Sequence, residues 1–171
     1  MLPFAHLIPT HFSQGSKVWV YQASRPLLIN EALTLEEVTE NFVAHWKSHG
    51  TPVKGYANLL FGRFLVFIND EAITPISGCS TDSMVHIVTQ LEQQLNLKFT
   101  DRTQLAFLRH DKIEPIPLNQ LEYALANNII NGQTVFFNNM VTTKYDLLHN
   151  WQIPVSTSWI SKRYSKHFET T

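Results

Sequence analysis

The chain has 171 residues, of which 13 are lysine or arginine and 14 are aspartate or glutamate, for a formal net charge of −1. This balance excludes the basic surface on which nucleic-acid binding depends, so we expect no nucleic-acid partner. The single cysteine, Cys79, excludes an intramolecular disulfide and a zinc site built from cysteines.

The composition predicts a soluble, cytoplasmic protein with a hydrophobic core large enough to need no disulfide. Hydrophobic residues make up 44% of the chain and charged residues 16%, against about 25% charged in typical globular proteins. A surface that is short of charge predicts self-association with a second copy. The longest apolar stretch, residues 59–68, is interrupted by Gly62 and Arg63 and is too short to cross a bilayer, so we expect no membrane partner.

The first half of the chain alternates strand and helix patterns. Residues 17–23 alternate β-branched and aromatic side chains as a strand does. Thr34-Leu35-Glu36-Glu37 has the form of a capping box and predicts the start of a first helix, which Gly50 ends. Residues 54–61 and 64–69 predict two strands joined by a type II′ turn at Gly62-Arg63.

A second helix and a further strand follow. The helix is predicted by apolar residues at helical spacing, which are Met84, Ile87, Val88, Leu91 and Leu95. Residues 103–110 predict a strand. Beyond them, a helix is expected from Asn119 to Gly132, a short strand over residues 134–137 and a short helix over residues 143–150.

The order of these elements predicts the fold class. The succession β-α-β-β-α-β is that of the ferredoxin-like fold, an antiparallel sheet with both helices on one face. We therefore predict an α+β protein with a single domain, residues 1–171. Residues 17–110 would form the ferredoxin-like core, and residues 111–171 a C-terminal α/β extension packed on it.

Several short segments between residues 17 and 163 carry a family resemblance. They are Val18-Trp19-Val20-Tyr21-Gln22, Arg63-Phe64-Leu65-Val66, Asp70-Glu71, Ser77-Gly78-Cys79-Ser80-Thr81-Asp82-Ser83, Phe137-Asn138-Asn139 and Ser158-Trp159. In these segments the chain resembles a group of uncharacterised bacterial proteins that often carry the automatic description "ABC transporter ATPase". The resemblance implies no established activity.

The sequence does not support an ATPase. Such an enzyme needs the pattern G-x-x-x-x-G-K-[S/T], in which backbone amides cradle the phosphates and the lysine reaches the terminal ones. Gly50 and Gly55 have the required separation, but Tyr56 follows Gly55 where the lysine should stand. None of the six glycines precedes Lys-Ser or Lys-Thr.

The run from Ser77 to Ser83 is the candidate functional segment. It contains Ser77, Gly78, Ser80, Thr81, Asp82 and Ser83 as ligand-binding candidates around Cys79, at the predicted start of the second helix. Unpaired amides and a partial positive charge at a helix start suit a small anion and favour a thiolate nucleophile. The structural alternative is that Ser80 or Thr81 caps the helix and Cys79 is a small buried residue.

No metal site is predicted, and the sequence leaves any cofactor unknown. His45 and His49 stand four residues apart on the first predicted helix, but no third ligand is evident. Asp70-Glu71 ends a strand, where carboxylates are more often solvated than bound to magnesium. The basic cluster at residues 162–167 reads as a solvated helix face or tail.

We therefore expect a non-catalytic binding or assembly module that holds a small anion or ligand at residues 77–83. The alternative is a small enzyme with Cys79 as its nucleophile. His86, two helical turns beyond Cys79, points along the helix and is poorly placed to act as a base for the thiol.

Overall fold

The structure is a computed structural model that describes residues 1–72 and 74–168. Its strands are β1 (Lys17–Gln22), β2 (Lys47–Ser48), β3 (Thr51–Pro52), β4 (Gly55–Leu60), β5 (Phe64–Asn69), β6 (Gln104–Arg109), β7 (Lys112–Pro117), β8 (Val135–Phe137) and β9 (Gln152–Pro154). Its helices are α1 (Ile29–His45), α2 (Gly78–Leu95), α3 (Leu121–Ala126), α4 (Lys144–Asn150) and α5 (Trp159–Arg163). The mixture of helices and antiparallel strands confirms the α+β class. None of the described helices is long and apolar enough to cross a membrane.

The chain divides into two compact units. The N-terminal unit consists of Phe4–Asp101 and Asn139–Leu148. The C-terminal unit consists of Met1–Pro3, Arg102–Asn138 and residues 149–168. The boundary between Asp101 and Arg102 therefore lies before β6, whereas the sequence predicts the end of the core after residue 110. The single domain stays a prediction.

The N-terminal unit is built on an antiparallel sheet of order β1-β5-β4. The strand register pairs Tyr21 with Leu65 and Ala57 with Phe67, so these side chains share one face of the sheet. The predicted apolar stripe of α2 packs on that face, with Met84, Val88 and Leu91 fully buried. Burial of each such side chain contributes about 2 kcal/mol, which makes this the main core of the unit.

The ferredoxin-like detail is not confirmed. Residues 103–110 were expected to be the fourth strand of the same sheet as β1, but β6 pairs with β7 and β8 in the C-terminal unit. The reason is local, because His110 and Asp111 both adopt positive φ and close a tight hairpin between β6 and β7. Beside β1, the Val18 amide instead donates to the carbonyl of Thr142 at 2.9 Å.

The predicted bounds of the first helix were wrong at both ends. It begins at Ile29, where the Glu31 carboxylate accepts a hydrogen bond from the Leu28 amide at 2.8 Å. Thr34 lies inside the helix and donates to the carbonyl of Asn30. The helix ends at His45, and a β2–β3 hairpin turns at His49, whose φ is 50°. His45 and His49 therefore do not lie on one helix.

The β4–β5 hairpin is confirmed, but its turn differs from the prediction. Phe61 and Gly62 have φ of 54° and 60°, and the Arg63 amide donates to the Leu60 carbonyl at 3.0 Å. Two consecutive positive φ values define a type I′ turn, whereas a type II′ turn at Gly62-Arg63 was expected.

Residues 4–16 cover the second face of the N-terminal sheet. Phe4, Ile8 and Phe12 are buried, and the Phe12 ring meets Tyr56 edge-on at 6.5 Å between centroids. The Tyr56 hydroxyl donates to the carbonyl of Leu7. Residues 4–16 therefore form a structural layer of the unit, although they contain no strand and only one short 3-10 turn.

The C-terminal unit has its own antiparallel sheet, of order β7-β6-β8-β9. Its core joins strand and helix residues: the Phe107 and Phe136 rings contact each other at a tilt of 37° with centroids 5.4 Å apart, and Leu121 and Ile160 are fully buried. The predictions of β8 and α4 are confirmed to within one residue. The helix expected from Asn119 ends at Ala126, well short of Gly132.

Candidate functional site

The predicted start of the second helix is confirmed. The helix begins at Gly78, and Ser77 is its N-cap: the Ser80 amide donates to Ser77 Oγ at 3.2 Å. Ser77, and not Ser80 or Thr81, therefore provides the cap. The first turn is also held from outside, since Trp46 Nε1 donates to the Ser80 carbonyl at 3.0 Å.

The hydroxyl protons of this segment already have acceptors. Ser80 Oγ donates to the Lys47 carbonyl at 2.7 Å, Thr81 Oγ1 to the Ser77 carbonyl at 3.2 Å and Ser83 Oγ to the Cys79 carbonyl at 2.9 Å. A hydroxyl has one proton to donate, and an anion is recognised by donors. An anion at residues 77–83 would therefore depend on backbone amides, and this site stays a prediction.

Cys79 is exposed on the first turn of α2 and not buried as its structural alternative required. His86 is exposed seven residues further along the helix, about 10 Å along the axis at 1.5 Å per residue. That separation exceeds hydrogen-bonding reach, so His86 cannot act as a direct base for the thiol. Catalysis by Cys79 stays a prediction.

The capping interpretation predicts unequal effects of two serine substitutions. Replacing buried Ser80 with alanine removes its bonds to Ser77 and Lys47, which should lower the free energy of unfolding by about 1–2 kcal/mol. Ser83→Ala is the control, since this hydroxyl is exposed and should contribute less than about 0.5 kcal/mol. Urea denaturation measures both, and equal effects would contradict the buried role of Ser80.

The two carboxylates before α2 are held by cations of the protein. Asp70 accepts from Lys54 Nζ at 2.6 Å, and Glu71 lies 3.0 Å from Lys17 Nζ. Glu71 also accepts from the Ile76 amide at 2.9 Å. Over residues 1–72 and 74–168, no three side chains of histidine, cysteine, aspartate or glutamate are grouped to hold a metal ion.

The C-terminal unit contains two cavities that share part of their lining. The larger has a volume of about 640 Å³, and the smaller, of about 400 Å³, shares Glu122, Arg163 and Tyr164 with it. We call the two together the C-terminal groove. Its further lining residues are Thr103, Gln104, Pro117, Leu118, Asn119, Gln120, Ser165 and Lys166.

The hairpin of β6 and β7 supplies one wall of the groove. Gln104 at the start of β6 pairs with Pro117 at the end of β7, and the Leu118 amide donates to the Thr103 carbonyl at 2.8 Å. Proline has no amide hydrogen to continue the ladder, so the chain leaves the sheet here and turns into α3. These contacts position Asn119 and Gln120 in the lining of the groove.

The charged side chains that line the groove differ in whether they have an ion-pair partner among the described residues. Lys166 donates to the Glu122 carboxylate, and this hydrogen bond is the main reason that the pKa of Glu122 is lowered, with a further contribution from the nearby charge of His167. Arg163 lies 5.7 Å from the centroid of the Tyr164 ring and has no ion pair with a carboxylate of the described residues. Among the described residues, the groove thus holds the ion pair Lys166–Glu122 and one cation without a counterion, Arg163.

Sequence reasoning missed this groove. The basic cluster at residues 162–167 was visible but was read as a solvated helix face or tail. Its neighbours come from β6, β7 and α3, about 40 or more positions earlier in the chain.

Comparisons of the chain with protein-family models, curated proteins and solved structures found no match. The family resemblance of the short segments stays a prediction.

Proposed function

We propose that this protein is a non-catalytic binding module and that the C-terminal groove holds a small polar ligand. The observation that carries the proposal is the groove itself. Its larger cavity, of about 640 Å³, falls within the range of about 300–1,000 Å³ that is typical of small-molecule sites.

The lining supports binding of a polar compound. Gln104, Asn119 and Gln120 carry side-chain amides, which can both donate and accept hydrogen bonds. Tyr164 and Arg163 add a hydroxyl, a ring face and a guanidinium group. Such groups fix the orientation of a ligand by complementary hydrogen bonds.

The electrostatics favour binding over acid–base chemistry. Among the described residues that line the groove, Glu122 is the one with a carboxylate. Its lowered pKa keeps it ionised at neutral pH beside Lys166. A general base acts best when its pKa lies near the working pH. Glu122 is therefore suited to positioning Lys166 and poorly suited to accepting a proton.

The walls of the groove are attached to the core of the unit. Leu121, which follows Gln120, is fully buried, as is Ile160 in the helix that carries Arg163. Binding sites that rest on packed elements are formed before the ligand arrives, which reduces the entropy lost on binding. We therefore expect little change in backbone structure when the groove is filled.

A groove-filling substitution tests the proposal. Asn119→Trp places a large ring in the lining of the groove, and Gln93→Trp places the same ring on the exposed face of α2 in the other unit. In a ligand-observed NMR screen of small polar compounds, we expect hits with the unchanged protein and with Gln93→Trp. Asn119→Trp should weaken them by about tenfold or more. Hits that bind Asn119→Trp unchanged, or a screen without hits, would contradict the proposal.

Self-association also stays a prediction. Leu28, Ile29 and Leu33 lie at the start of α1 with exposed fractions of 62%, 83% and 60%. Exposed apolar side chains that lie close together are found at protein interfaces as well as on ordinary surfaces.

A further inference from the structure

We infer that the ligand of the C-terminal groove carries an oxyanion, either a carboxylate or a phosphoryl group, and that Arg163 binds it. This inference rests on the proposed function, because it names the chemical class of the compound in that groove.

The first step is the availability of the guanidinium group. Arg163 lines both cavities, and no carboxylate of the described residues forms an ion pair with it. Lys166, the other cation of the lining, is already paired with Glu122. Of the lining cations, Arg163 is therefore the one that has no counterion among residues 1–72 and 74–168.

The second step is the match between arginine and an oxyanion. A guanidinium group presents its N–H donors in a planar fork, which fits two oxygens of a carboxylate or phosphate at once. The ring of Tyr164, 5.7 Å from the guanidinium carbon, restricts the orientation of that plane. A fork held by an aromatic ring loses less side-chain entropy when it binds an anion.

The third step concerns the negative charge of the Glu122 carboxylate, which also lines the groove. An isolated Glu122 would repel an oxyanion, since like charges at short range are unfavourable. Its pairing with Lys166 offsets that repulsion. The neutral amides of Asn119 and Gln120 then remain to bind the polar remainder of the ligand.

Matched pairs of compounds test the inference on the full chain. Isothermal titration compares glycerol 3-phosphate with glycerol, and benzoate with benzamide, so that each pair differs in its charged group. We expect the charged member of at least one pair to bind about tenfold or more tightly than its neutral counterpart. The pair that shows this preference distinguishes a phosphoryl from a carboxylate ligand.

Three substitutions assign the preference to Arg163, and two of them remove one positive charge each. Arg163→Gln should weaken the charged compound by about tenfold. Lys162→Gln removes the same charge one residue away, outside the lining, and should change its affinity by less than about twofold. Arg163→Lys, which keeps the charge but loses the fork, should fall between them. Melting followed by circular dichroism checks that each variant is folded.

The outcomes separate the inference from the proposed function. Binding of glycerol or benzamide that Asn119→Trp abolishes and Arg163→Gln leaves unchanged would overturn the oxyanion while the groove remains the binding site. Binding that neither variant affects would overturn both. Absence of binding by all four compounds at about 10 mM would overturn the inference, since even a weak site should fill near that concentration.

Discussion

Replacing Asp70 with asparagine should lower the free energy of unfolding at pH 7 by about 2 kcal/mol and flatten the loss of stability between about pH 4 and pH 2. The side chain of Asp70 is only 3% exposed. Burial raises its pKa, but hydrogen bonds from Lys54 and Ser13 outweigh burial and hold the pKa at about 2.

The direction of the pH effect follows from that lowered pKa. The unfolded chain takes up a proton at Asp70 near pH 4, whereas the folded protein takes it up near pH 2. The ionised side chain therefore stabilises the folded state fully above about pH 4, and this contribution disappears as the pH falls through the folded pKa. Asparagine cannot titrate, so the Asp70→Asn variant should lack this component.

Urea denaturation at several pH values between about 2 and 7, a range that includes both the folded pKa of about 2 and the unfolded value near 4, measures the effect. Glu40→Gln on the exposed face of α1 is the matched control, with an expected change of less than about 0.5 kcal/mol. A stability profile of Asp70→Asn that runs parallel to that of the unchanged protein would contradict the assigned role of the Lys54–Asp70 pair.

Lys144→Met should lower the free energy of unfolding by about 3 kcal/mol. Lys144 is 3% exposed, and its ammonium group donates to the carbonyls of Pro9 at 2.7 Å, Thr10 at 3.3 Å and Phe12 at 2.6 Å. Methionine has a similar length but no donor, so three carbonyls would lose their partner. A buried acceptor without a partner is costly, and the loss of a charged donor increases that cost.

The same substitution should loosen the layer that residues 4–16 form on the sheet. Hydrogen exchange at the amides of Ile8, Phe12 and Ser16 should become faster in Lys144→Met, while exchange in β5 changes less. Lys47→Met, an exposed lysine of the same unit, serves as the control and should change the unfolding free energy by less than about 0.5 kcal/mol. Unchanged protection of residues 4–16 in Lys144→Met would contradict this role of the ammonium group.

Local signals in the sequence predicted much of the fold. The apolar stripe of α2 and its polar start at Ser77, the β4–β5 hairpin and the short β8 strand depend on neighbouring residues, and all are present. The start of α1 was missed because its cap is unusual. Leu28 has no side-chain acceptor, and Glu31 satisfies the helix end from inside.

The placement of β6 could not be predicted from the same signals. Its partner β7 contains Pro115 and Pro117, which weaken a strand pattern in the sequence. In the structure β7 is an edge strand, where proline is tolerated because one side of the strand has no ladder to continue. Without β7, residues 103–110 were assigned to the sheet of the N-terminal unit.

The same holds for the candidate site: features that depend on neighbouring residues could be predicted from the sequence, and contacts between residues far apart in the chain could not. The start of α2 was found because capping residues are adjacent in sequence, yet its hydroxyls donate to carbonyls of the protein. The C-terminal groove joins Gln104, Gln120 and Arg163, which meet only through sheet pairing and helix packing. One sequence contains no local pattern that brings these three together.

Backbone amide shifts under separate titrations with glycerol 3-phosphate and with benzoate test most directly where a ligand binds. For at least one of the two compounds we predict saturable shifts at Gln104, Gln120 and Tyr164, with the amides of Gly78 and Thr81 unchanged. Shifts confined to residues 77–83, or none along the described chain with either compound, would contradict this prediction.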